Sequence, residues 1–250
     1  MRTDRIHEID LACICPLPTE MKWEALRRLK VFVPPHTFRP VRRTLFDIFG
    51  VQPNRHISLA RTPWPCIDAK IRNLSANASE EGANLCAAEG LHAYASAHSI
   101  HGVANQFTRM SLGRGGLSYW SNMVLDIGGV TVVPFLDPRV SGGLTEIGMQ
   151  FVFSVMDLRV RQLDVDFYDA YMAILRLSPP IDGRRHVQPY FDTGTELFSQ
   201  DQLKAMVRET YDIWRLVLQE RADERREKPR KATSQIELPF DVRSPARKAS

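Results

Sequence analysis

Asp126, Asp137 and Arg139 lie along the stretch VLDIGGVTVVPFLDPR, two carboxylates and a cation spread around a Gly128-Gly129 turn. Carboxylates on neighbouring strands can gather Mg²⁺ against a scissile phosphate. Glu80, Glu81 or Glu89, from an Ala-rich segment upstream, would supply a further carboxylate. The plainer reading is that these polar residues end a hairpin. His92, His98 and His101 follow in the same upstream region, and His98 and His101 stand three apart, as two ligands on one helical face would. No carboxylate or cysteine at matching spacing accompanies them, so they read as surface histidines, and neither a metal nor a cofactor is expected.

The acid, then acid-x-base order resembles that of PD-(D/E)XK nucleases, with two departures. Arg139 stands where that family has lysine, and Pro138 interrupts the strand. Arginine does not readily act as a base. No P-loop, dinucleotide fingerprint, HExxH or GxSxG occurs, and the glycines of SLGRGGLSYW match no phosphate cradle. The sequence therefore favours a binding protein over an enzyme and keeps a metal-dependent nuclease as an alternative.

Charge is unevenly placed. Residues 22–72 carry eleven Lys/Arg against three Asp/Glu, residues 73–219 are acidic on balance, and residues 220–250 are basic again. Arg27, Arg28, Arg39, Arg42 and Arg43 are the candidates for meeting DNA phosphates, the last three near one helix start in FRPVRRTLF. No apolar run is long enough to span a bilayer. The four cysteines (Cys13, Cys15, Cys66 and Cys86) are scattered as reduced thiols are, so a cytoplasmic protein is expected.

The elements that must carry these residues are of the α+β class. The helical N-terminal part has one helix in PTEMKWEALRRLKVFV, with Thr19 as its N-cap, and a second in FRPVRRTLFDIFG, with Pro40 in its first turn and Gly50 as its stop. The pair suggests a helix-turn-helix-like unit. A small central sheet is built around the Gly128-Gly129 hairpin, with strands in DAYMAILRLSPP and RRHVQPYF. GMQFVFSVMDLRVRQL keeps helical spacing in a β-rich composition and stays ambiguous. A long amphipathic helix begins at a capping box, Ser199 with Gln202, and its stripe fades after Leu218. The organisation expected is a basic helical segment 1–72 and a mixed body 73–219, one domain together, then a charged flexible tail 220–250.

That tail holds TSQIELPFDV at 233–242, with Ile236, Leu238 and Phe240 in surroundings too polar to bury them. Such a cluster either folds back onto the body or fills a partner's pockets as an extended motif, and the charged linker before it favours the second. QIELPF resembles the hexapeptide that binds bacterial sliding clamps: glutamine, an aliphatic residue, a variable one, leucine, a small residue or proline, then phenylalanine or leucine. The resemblance covers six residues and no whole-chain family. It implies that Leu238 and Phe240 enter a deep apolar subsite, Gln235 hydrogen-bonds beside it, Ile236 covers the rim and Pro239 favours the extended shape. The function expected is that of a bacterial replication- or repair-associated protein recruited to the DNA polymerase sliding clamp, blocking or modulating replication, with DNA as a second partner and no membrane. One alternative is a clamp-binding toxin of a toxin–antitoxin pair, SocB-like in action, with an antitoxin as partner. Others are a clamp-recruited metal-dependent nuclease and a mobile-element DNA-binding protein.

Overall fold

Val130–Asp137 buries its last six residues in a row and Tyr171–Leu177 four in a row, rather than every second one, as strands covered on both faces do. The computed structural model describes residues 5–29, 37–54, 56, 57, 59–112 and 115–227. In chain order they form helices α1 (Glu8–Ile14), α2 (Thr19–Arg28) and α3 (Arg39–Phe49), strand β1 (Val51–Gln52), and helices α4 (Trp64–Leu74) and α5 (Ala78–Ala97). Strands β2 (His101–Ala104), β3 (Met110–Leu112), β4 (Gly115–Leu117), β5 (Met123–Ile127) and β6 (Val130–Asp137) follow. Helix α6 (Glu146–Arg159), strands β7 (Tyr171–Leu177) and β8 (Val187–Phe191), and helix α7 (Gln200–Glu227) complete the α+β fold.

Six strands make one mixed sheet in the order β1-β2-β5-β6-β7-β8, with the parallel pair β6–β7 near its centre. The sheet is larger than a lone hairpin because strands distant in sequence join it on both sides. Alternation along the strands sorts two cores. Val133, Phe135, Met172 and Ile174 face α1, α2, α6 and α7, while Val132, Leu136, Ala173 and Leu175 face α3, α4 and α5.

The ambiguous segment is α6. A parallel pair needs a crossover, and α6 supplies it between β6 and β7, with Thr145 Oγ1 accepting from the Gly148 N–H at 3.1 Å as its cap. Burial of Phe151, Val152, Phe153, Val155 and Met156 on several sides explains why its composition looks like a strand. Two caps fall where the sequence predicts them. Gly50 ends α3 at φ +62°, and Ser199 and Gln202 exchange hydrogen bonds of 2.7 and 3.3 Å at the start of α7. Thr19 does not cap α2. Pro18 holds that position, and the Thr19 hydroxyl instead donates to Glu209 of α7 at 2.5 Å.

Candidate functional site

The five arginines expected at a phosphate surface do not share one. Arg27 and Arg28 end α2, which packs on α7, whereas Arg39, Arg42 and Arg43 open α3 in the layer across the sheet. The helix-turn-helix-like unit therefore does not form, because Leu26 of α2 and Val41, Leu45 and Ile48 of α3 are drawn into different cores. Arg27 is held by Glu220 through two contacts of 3.0 and 3.2 Å and lies 5.1 Å over the Trp23 ring. Arg28 pairs with Glu24 at 3.3 Å. Arg39 and Arg43 are exposed, and Arg42 stands on the rim of a cavity of about 330 Å³ with Glu8, Arg109 and Trp120.

The acidic candidates are also apart. Asp126 sits opposite Thr131 and closes the hairpin, its Oδ1 accepting from the Gly129 N–H at 2.8 Å. Asp137 is at the far end of β6, six residues past Thr131, or roughly 20 Å along the strand. Two carboxylates so separated cannot share one ion. Asp137 is fully buried, accepting from the backbone N–H groups of Arg139 at 3.3 Å and Leu144 at 2.9 Å, with Arg176 Nε 3.7 Å away. A Cβ on Gly143 would press on the side-chain ends of Arg176 and Asp137, so glycine there lets the loop after β6 lie close over the carboxylate. Pro138 lies just beyond the strand, not within it. Arg139 turns away to Asp10, His7 and the Gly142 carbonyl.

Glu80 is buried and accepts from the Thr37 N–H, the Thr37 hydroxyl and the Ala76 N–H. Glu81 pairs with Arg72. Among the described residues no group of three or more His, Cys, Asp or Glu side chains converges as metal ligands would. The geometry gives Asp126 and Asp137 the work of holding a turn and a loop.

His7 Nδ1 accepts from the Ile9 N–H at 3.3 Å and lies 2.9 Å from Arg139 Nη2. Desolvation, reinforced by the Arg139 charge, lowers its pKa from 6.5 to about 4. The unfolded chain thus takes up a proton that the folded chain refuses, so stability is full above pH 6.5 and declines as the pH falls toward 4. An NMR titration is expected to find His7 unprotonated at pH 5.5, with Arg139→Ala moving its midpoint upward. A His7 midpoint near 6.5 in the native protein would contradict this geometry.

The C-terminal helix is fixed to the body by Leu203, Val207, Ile213, Trp214 and Val217, all buried. Its last anchor is Arg221, which donates to the carbonyls of Leu26, Arg27 and Leu29 at 3.1, 2.9 and 2.9 Å and lies 5.2 Å over Trp214. Residues 222–226 are exposed, so the helix leaves the body there. Gln235, Ile236, Leu238, Pro239 and Phe240 lie outside the described residues. Eight residues carry the chain from Glu227 to Gln235, a reach of at most ~28 Å.

The body contains an echo of the hexapeptide. Gln162–Phe167, QLDVDF, repeats QIELPF as glutamine, aliphatic, acid, aliphatic, any residue, phenylalanine. Here Phe167 is only 7% exposed and meets Phe107 edge-on at 5.3 Å, while Leu163 and Val165 are 59% and 86% exposed. A phenylalanine spent on the core cannot enter a partner's pocket while the body is folded.

The body has three layers, and residues 222–226 of its last helix are exposed. Residues 9–224 match the family described as the sliding clamp-binding bacterial toxin SocB, and the chain belongs to that family. The match spans most of the chain and does not include the six residues that carry the resemblance in the sequence. The chain is also 31% identical over 228 residues to the DNA replication inhibitor toxin SocB of Caulobacter vibrioides (strain NA1000 / CB15N), covering 90% of this chain and 95% of that protein. No solved structure matches the chain. The family match ends before Gln235, so family membership and the tail hexapeptide are separate observations. Among the described residues no helix is long and apolar enough to cross a membrane.

Proposed function

We propose that this chain is a toxin that inhibits DNA replication by occupying the sliding clamp through Gln235–Phe240. The observation that carries the reading is the coincidence of two separate pointers to one partner: the family to which residues 9–224 belong, and a clamp-type hexapeptide beyond them. Family membership favours the toxin over a general replication or repair factor. In mechanism, Leu238 and Phe240 fill an apolar subsite, Gln235 hydrogen-bonds beside it, and the replicative polymerase loses its place on that protomer of the clamp. Burying a Leu and a Phe supplies roughly 3–6 kcal/mol gross, which leaves a micromolar-scale contact after the peptide is ordered. A toxin of this kind requires an antitoxin in its own host.

The test is fluorescence anisotropy of a labelled peptide spanning residues 228–250 with a bacterial sliding clamp. Micromolar binding is expected, lost when Leu238 and Phe240 become alanine. A second reading places a clamp contact on the body, favoured by the family match ending at residue 224. A silent peptide beside a full-length chain that binds would select it.

A further inference from the structure

We infer that the cleft between α5 and the β7–β8 connection binds a nucleotide unit, a base with its phosphate, whether free or within a single strand. The cleft encloses about 610 Å³, a volume suited to a ligand of that size. Its floor is small: Gly90, Ala93 and Ala97 lie at i, i+3 and i+7 on one face of α5. Ring pairs stand beside that floor, Trp64 with His92 at 5.3 Å between centroids and Tyr94 with His98 at 4.6 Å. Two of the three histidines read from the sequence as plain surface residues therefore line a concave, aromatic site.

Arg184 and Arg185 close one end, and they do different things. Arg185 is 3% exposed and donates to the carbonyls of Ser178 at 2.8 Å and Leu177 at 3.0 Å, so it fixes the wall. A Cβ on Gly90 would overlap the Arg185 carbonyl, so glycine there lets the wall lie directly on the helix. Arg184 is exposed and makes no ion pair among the described residues. An exposed cation with no ion pair among the described residues, beside half-buried aromatic rings, suits a phosphate attached to a stacking base. Glu89, also on the lining, can accept a hydrogen bond from an exocyclic amine or a sugar hydroxyl.

The test uses the full-length protein and no clamp, so its outcome is independent of the clamp contact. Binding is followed by anisotropy of a fluorescein-labelled dT12 strand and by tryptophan quenching with dAMP. At least one probe is expected to bind, with Arg184→Ala and Trp64→Ala each weakening it tenfold or more. Arg215→Ala, an exposed arginine of α7 that is not on the cleft lining, should leave it unchanged. Binding of dT12 alone assigns the site to a strand, and binding of dAMP assigns it to a free nucleotide. Arg184→Ala changes an exposed side chain, so its circular dichroism should match the parent and its effect can be read directly. The inference is overturned if neither probe binds at millimolar concentration, or if binding is indifferent to Arg184→Ala.

Discussion

Expression of the full chain in a bacterial host is expected to stop DNA synthesis, and Leu238→Ala with Phe240→Ala is expected to restore it. Each truncation removes an apolar side chain from a desolvated subsite, and such anchors carry most of the energy of a short-peptide contact. Loss of ~100-fold in affinity, about 2.7 kcal/mol, turns a micromolar contact into one too weak to compete for the clamp. The body should keep its fold, because neither position is among the described residues that anchor α7, such as Trp214 and Arg221. Labelled-thymidine incorporation after induction reads the effect directly. Arrest that persists in the double variant, at equal protein level, would move the inhibitory contact off the tail.

Asp137→Ala is expected to destabilise the body by about 3 kcal/mol, the order of cost of leaving buried donors without their acceptor. Arg176, itself partly exposed, loses its carboxylate, the Leu144 N–H loses its acceptor in a buried place and the Arg139 N–H in a partly buried one. At roughly 2–4 °C per kcal/mol for a protein of this size, the melting temperature should fall by about 10 °C. Asp137→Asn keeps the shape and one acceptor, so it should cost less. Urea denaturation of both variants checks the ordering. An Asp137→Ala variant that keeps its stability but loses Mg²⁺-dependent DNA cleavage would return Asp137 to the catalytic role first read for it.

These outcomes show where sequence patterns carry structural meaning. The capping box at Ser199 and Gln202, the stop at Gly50 and the hairpin at Gly128-Gly129 are local devices, settled by neighbours within a turn, and each is legible in the chain. Segment α6 is not. Its apolar residues satisfy a strand or a helix equally, and only the parallel pairing of β6 with β7 decides between them. The same limit explains the arginines and the acids. Arg28 and Arg39 are eleven positions apart but belong to opposite layers of the sheet. Asp126 and Asp137 are as close in sequence yet end different turns, because β6 runs straight between them.

The candidate site divides along the same line. QIELPF is readable because a linear motif needs no fold to assemble it, whereas QLDVDF is disqualified only once Phe167 is seen in the core. The cleft on α5 gathers Trp64, His92, Tyr94, His98 and Arg184 from three separated segments, so no spacing in the chain announces it.

The most direct test of the central claim is competition on an immobilised sliding clamp. Full-length chain would be bound, then challenged with excess peptide 228–250 or with the same peptide carrying alanine at positions 238 and 240. The account predicts that the native peptide displaces the chain and the altered one does not. A chain that stays bound in the presence of saturating native peptide would contradict it and place the clamp contact on the body.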